Sequence, residues 1–136
     1  KAGVIPTPAV AYLTRYYNAD AGIVISASHN TFEYNGIKFF NSDGYKLDDM
    51  LEEKIEDIII SSIDVNSHIT GDKVGKCLEA AEDAAELYAA NLANTVDFEL
   101  DGKKIVLDCA NGAAYRVAET VYKKLGAEVI VIGLTA

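Results

Sequence analysis

A short apolar run, Ile23-Val24-Ile25, empties into Ser26-Ala27-Ser28-His29-Asn30, and the chain returns through Gly36-Ile37-Lys38. Together these residue types offer a hydroxyl nucleophile, an adjacent imidazole that could carry a proton, and a cation. Residue type alone leaves this reading level with the plainer one, a solvated loop. A serine-hydrolase elbow fits poorly, because Asn30 occupies a glycine position of the Gly-x-Ser-x-Gly pattern.

Other candidates are weaker. Gly71-Asp72-Lys73-Val74-Gly75-Lys76-Cys77 is one residue short of a phosphate loop, and Cys77 stands where Ser or Thr would hold magnesium, so it reads as a surface turn. Asp108-Cys109-Ala110-Asn111-Gly112 lies between an expected strand and helix, where a phosphate could sit, but it has one glycine where a dinucleotide fingerprint has three. It reads as a structural turn. His68 has no Cys or His at ligand spacing and reads as a surface residue. Cys77 and Cys109 lack Cys-x-x-Cys spacing and are expected to be reduced, buried thiols.

The elements that must position the serine segment are legible as an α/β pattern. Thr7 is the expected N-cap, with Pro8 at the first helical position, of an amphipathic helix carrying Ala9, Val10, Tyr12, Leu13, Tyr16 and Tyr17. Asn18 to Gly22 should end it. Ile23–Ile25 is expected to be a fully buried strand, Ser26 to Gly36 a loop, and Ile37–Phe40 a second strand. A helix is expected from about Asp48 to Ile60, with Asp49 and Glu52 as a capping box and Leu51, Ile55, Ile58 and Ile59 as its apolar face. Ser61–Gly75 reads as a surface excursion with one short strand, and 81–95 as a bridging helix with Leu87, Tyr88 and Leu92 on one side. Strand Ile105–Leu107, helix Tyr115–Leu125 and strand Glu128–Ile132 then make a βαβ unit, with Gly126 stopping the helix. A doubly wound sheet needs several crossovers, so this unit reads as the opening of a second domain.

Composition bounds the rest. The 136 residues are 50% apolar and 24% charged, which excludes intrinsic disorder. No apolar run is long enough to span a bilayer, and no signal peptide is expected at the N-terminus, which points to a cytoplasmic protein. The net charge of −9 provides no basic footprint for nucleic acid. An anionic ligand would have to be held by a local donor cluster or a metal ion.

Ile25-Ser26-Ala27-Ser28-His29-Asn30 with Tyr34-Asn35-Gly36-Ile37-Lys38-Phe39-Phe40 resembles the active-serine loop of the α-D-phosphohexomutases. The flanks Thr7-Pro8-Ala9-Val10-Ala11-Tyr12-Leu13-Thr14-Arg15 and Leu107-Asp108-Cys109-Ala110-Asn111-Gly112-Ala113-Ala114 are similar to that family as well, the second to the opening of its second domain. One departure is Thr31, where the family usually has proline.

The resemblance implies that residues 1–80 are the latter part of a mixed-sheet α/β domain carrying the serine loop. Residues 81–136 would be the bridging helix and first βαβ unit of a second, similar domain. It further implies a phosphorylated hexosamine as substrate, with glucose or mannose phosphates as alternatives within the family. Ser28 would carry the phosphoryl group and, through that phosphate, bind magnesium (Mg2+, one per active site), whose other ligands lie outside this chain. Lys38, ten residues on, would stabilise charge and move a proton, and His29 would have a supporting role. No nucleic-acid or membrane partner is implied. Self-association through exposed sheet along Val129–Ile132 is expected, as is inactivity of these residues on their own, in which case they would be a non-catalytic folded piece.

Overall fold

Helix α1 (Thr7–Tyr16) leads into the antiparallel pair β1 (Ala21–Ser26) and β2 (Gly36–Asn41), followed by α2 (Asp49–Ile60), α3 (Ala84–Ala93), β3 (Lys104–Asp108), α4 (Tyr115–Lys124) and β4 (Glu128–Ile132). The computed structural model describes residues 1–61 and 69–134; His68 and the rest of residues 62–68, in the excursion where a short strand was expected, lie outside them. Single-turn 3-10 helices occur at Phe32–Tyr34 and Gly71–Lys73. Strands β3 and β4 pair in parallel around α4, the βαβ unit expected from the sequence.

The core is helical. Ala9 and Leu13, four residues apart on one face of α1, and Ile5 just before the helix meet Ala84, Ala85, Tyr88 and Ala89 of α3 and Val117 of α4. The alanines of α3 let both neighbours approach closely, so α3 bridges the two sheets. Asp83 caps α3 by accepting the Ala85 and Glu86 amides at 3.0 and 3.2 Å. Its second oxygen pairs with Arg116. These contacts hold its carboxyl below the ordinary aspartate range, the Arg116 hydrogen bond contributing most.

Strand β1 docks on α1 through Gly22. A Cβ built there would lie 2.1 Å from Thr14 Oγ1 and 3.2 Å from Val10 Cγ1, so the close approach requires glycine. Thr14 is buried, and its hydroxyl donates to the Val10 carbonyl at 2.8 Å.

Several local expectations are corrected. Strand β1 is not fully buried: Ile23 is 58% and Ile25 70% exposed, because α1 covers one face of a two-stranded pair and leaves the other open among the described residues. The N-cap of α1 is Pro6, with Thr7 already helical and no side-chain cap. Helix α2 is capped by Asp48, whose carboxylate accepts the Leu51 amide at 2.9 Å. Asp49 and Glu52 instead bind Lys46, at 3.2 and 3.0 Å. No residue of α2 is buried, so its apolar stripe is unpartnered among the described residues. Cys77 is exposed and Cys109 half-buried. No helix among the described residues is long and apolar enough to cross a membrane.

Candidate active site

At the end of β1 the backbone turns sharply. The Asn30 amide donates to the Ala27 carbonyl at 3.0 Å, which places Ser28 and His29 at the two central positions of a tight turn. Ser28 has φ 58°, in the left-handed region that non-glycine residues rarely occupy. Such a conformation costs about 1–3 kcal/mol and persists only where neighbouring contacts determine it. Two side-chain contacts do so here. The Ser28 amide donates to Ser26 Oγ at 3.0 Å, and Ser28 Oγ lies 3.1 Å from His29 Nδ1. The turn presents an exposed hydroxyl already hydrogen-bonded to an imidazole.

Lys38 comes from the partner strand. The register sets Val24 opposite Lys38 and Ser26 opposite Gly36, so Lys38 shares a sheet face with Val24 and Ser26 while Ile37 and Phe39 occupy the other. Lys38 is exposed and makes no ion pair among the described residues. Ser28 and His29 thus follow the end of β1, and Lys38 lies two residues in from that end of the pairing strand, opposite Val24. Ser26 was not expected to have a role. Its signal is a hydroxyl two residues before a turn residue, the pattern by which Ser and Thr side chains accept a nearby backbone amide.

Thr31 preserves the backbone that proline would impose. Its φ of −69° lies within the range of a proline ring. Its carbonyl accepts the Tyr34 amide at 3.0 Å, and its hydroxyl, together with the backbone of Glu33 itself, holds the Glu33 carboxyl below its ordinary range.

The loop after β3 has related geometry without reactive groups. The Gly112 amide closes on the Cys109 carbonyl at 2.8 Å, with Ala110 (φ 47°) and Asn111 (φ 53°) left-handed between them. The Ala110 amide donates to Asp108 Oδ1 at 2.9 Å, and the Asn111 amide to the Gly133 carbonyl at 3.0 Å. The loop is a clamped turn, in agreement with its sequence reading. A groove of about 1140 Å³ runs from Leu13 and Tyr17 past Ile23, Ile25 and Ser26 to Ala113, joining the two strand-end regions. Among the described residues no group of three or more His, Cys, Asp or Glu side chains is placed to hold a metal ion.

The chain's relatives define its class. Residues 1–65 match the family described as phosphoglucomutase/phosphomannomutase, alpha/beta/alpha domain I. The chain belongs to the phosphoglucomutase/phosphomannomutase family. Over 130 residues, 96% of its length, it is 55% identical to the phosphoglucosamine mutase of Acetivibrio thermocellus, and 53% and 54% identical to those of Clostridium novyi and Clostridium kluyveri. It spans 29% of the length of each of these curated relatives. A solved phosphoglucomutase/phosphomannomutase family protein from Burkholderia thailandensis shares the fold over 98% of this chain and 29% of its own, with a TM-score of 0.67 at 22% identity.

Proposed function

We propose that these residues carry the phosphoryl-bearing serine of a phosphoglucosamine mutase, which interconverts glucosamine 6-phosphate and glucosamine 1-phosphate through a bisphosphate intermediate in the cytoplasm. The observation that carries the reading is the left-handed Ser28 with its hydroxyl 3.1 Å from His29 Nδ1, in a chain 55% identical to a relative of that name.

In the forward direction a sugar hydroxyl oxygen attacks the phosphorus on Ser28. The P–Oγ bond breaks, a P–O bond to the sugar forms, Oγ gains a proton and the sugar hydroxyl loses one. His29 is the group in reach of Oγ to carry that proton. Lys38 offers the positive charge that the transferring phosphoryl needs, since such transfer is mainly a matter of positioning and electrostatics. The bisphosphate then turns over and returns its other phosphate to Ser28, so the net change is an isomerisation that consumes no phosphoryl donor.

The carboxylates of the described residues do not form a magnesium site. Magnesium would neutralise phosphoryl charge when bound, and we assign its ligands, apart from a phosphoserine oxygen, to sequence outside this chain. Residues 1–80 are read as part of one domain and 81–136 as the start of another, which the two separate strand pairs and the bridging α3 support.

The test uses the full-length polypeptide that contains this chain, primed with glucosamine 1,6-bisphosphate. Conversion of glucosamine 6-phosphate in preference to the glucose and mannose phosphates is expected, with the phosphate mapped by peptide mass spectrometry to Ser28. Phosphate on Ser26 in active enzyme, or turnover retained in Ser28→Ala, would refute the assignment; preference for another hexose phosphate would leave the serine chemistry and change the sugar.

A further inference from the structure

We infer that Ser26 is a positioning residue for the phosphoryl-transfer step, acting through the backbone of Ser28. The inference rests on the reading of Ser28 as the phosphoryl carrier. The Ser28 amide has one side-chain partner, the Ser26 hydroxyl at 3.0 Å, and Ser28 is the residue held in the left-handed region. Two further contacts surround it. The Asn30 amide closes the turn on the Ala27 carbonyl, and His29 touches the Ser28 side chain. Among the described residues, the peptide joining Ala27 and Ser28 is held at its carbonyl by the Asn30 amide and at its N–H by the Ser26 hydroxyl, the one side chain that takes part.

Ser26 is the last residue of β1 and is paired with Gly36, so its position is set by the strand ladder. It therefore ties the orientation of the nucleophile to the rigid strand rather than to the loop. Ser28 is exposed, so water can take over its amide when the Ser26 hydroxyl is removed. The cost then falls on the fraction of molecules with Ser28 aimed for transfer, not on folding. A reacting atom displaced by a small distance loses rate steeply, which makes this contact kinetic in its consequence.

The experiment compares Ser26→Ala, Ser26→Thr and Ser28→Ala in the full-length polypeptide, with glucosamine 6-phosphate as substrate. For Ser26→Ala, kcat should fall about three- to tenfold, the range expected for one net hydrogen bond, with KM for the sugar phosphate unchanged. Ser26→Thr keeps the hydroxyl and should recover the wild-type kcat. Wild-type kcat in Ser26→Ala, or a raised KM with kcat intact, would overturn the inference while an inactive Ser28→Ala upheld the serine chemistry. An active Ser28→Ala would instead remove the reading on which the inference rests. If Ser26→Ala folds poorly, Ser26→Thr decides alone: wild-type kcat supports the hydroxyl's role, and a loss of more than threefold in a stably folded Thr variant overturns it.

Discussion

Replacing Gly22 with alanine would place a methyl carbon 2.1 Å from Thr14 Oγ1, more than about 1 Å inside ordinary van der Waals contact. Val10 Cγ1 at 3.2 Å and Thr14 Cβ at 3.4 Å close off the sideways escape. Two responses are open. Thr14 can rotate, which breaks its 2.8 Å hydrogen bond to the Val10 carbonyl and leaves a buried hydroxyl unpaired, at about 1–3 kcal/mol. Alternatively β1 can move off α1, loosening the packing around Ala9 and Leu13, and overpacking of this kind costs about 1–3 kcal/mol as well. Either route predicts a loss of roughly 2 kcal/mol, or a Tm lower by about 5–10 °C.

Thermal unfolding followed by circular dichroism provides the assay, with Thr14→Ala as the control background. Removing the hydroxyl and the γ-methyl should relieve most of the clash, so the two substitutions should couple by about 1 kcal/mol or more. An unchanged Tm for Gly22→Ala, or the same loss with and without Thr14's hydroxyl, would show that β1 does not dock on α1 in this way. The prediction also bears on the site, because β1 carries Ser26 and aims the Ser28 turn.

Lys38→Ala in the full-length polypeptide should cut kcat by about 10²–10³-fold, the usual scale for a removed charge-stabilising group, with stability changed by less than about 0.5 kcal/mol; steady-state kinetics beside a melting curve test both parts. Thr31→Pro should stabilise by about 0.4–1 kcal/mol without loss of turnover, because φ −69° already suits the ring, and urea denaturation reads it; destabilisation would mean that the Thr31 amide or its hydroxyl contact near Glu33 matters more than the backbone. Asp83→Ala should cost about 1 kcal/mol of cap stability at pH 7. Since the folded Asp83 carboxyl is held below its unfolded range, that contribution is complete above about pH 4 and fades as pH falls through the lower folded value, so wild type and variant should converge in acid denaturation. Open apolar faces at Ile23, Ile25 and Ile37, and at Val106, Ile130 and Ile132, should make the isolated 136-residue chain self-associate in sedimentation velocity, and a strictly monomeric chain at high concentration would count against it.

The layout of the serine loop was legible because it follows from local spacing: a strand end, a hydroxyl, an imidazole, and a lysine returned by the pairing strand. The βαβ unit was legible for a similar reason, with Gly126 (φ 92°) stopping α4 as expected. Burial was less legible. Ile23-Val24-Ile25 has the same sequence whether one face or both are covered, and only the packing partners decide. Caps shifted by one residue because adjacent candidates were chemically alike, as with Asp48 and Asp49, and backbone geometry made the choice. The turn of the second loop lies where the sequence put it, yet its left-handed positions are Ala110 and Asn111, not the glycine, and they are stabilised by Asp108 and Gly133. Gly22, grouped with the end of α1, is instead the contact point of β1.

The two strand-end loops share one device. Ser26 accepts the amide of Ser28, and Asp108 accepts the amide of Ala110; in each case a side chain holds a left-handed, non-glycine residue two positions on. Alanine at 110 has no group that could react, so the device by itself confers no chemistry and serves to fix a turn to a strand. What separates the first loop is what the fixed turn presents: a hydroxyl, with an imidazole 3.1 Å away and a lysine on the pairing strand. On the role proposed for Ser28, its strain is thus better understood as the means of holding a nucleophile still than as a source of reactivity. Phosphoryl transfer suits such a site, since it asks the protein for position and charge more than for covalent strain.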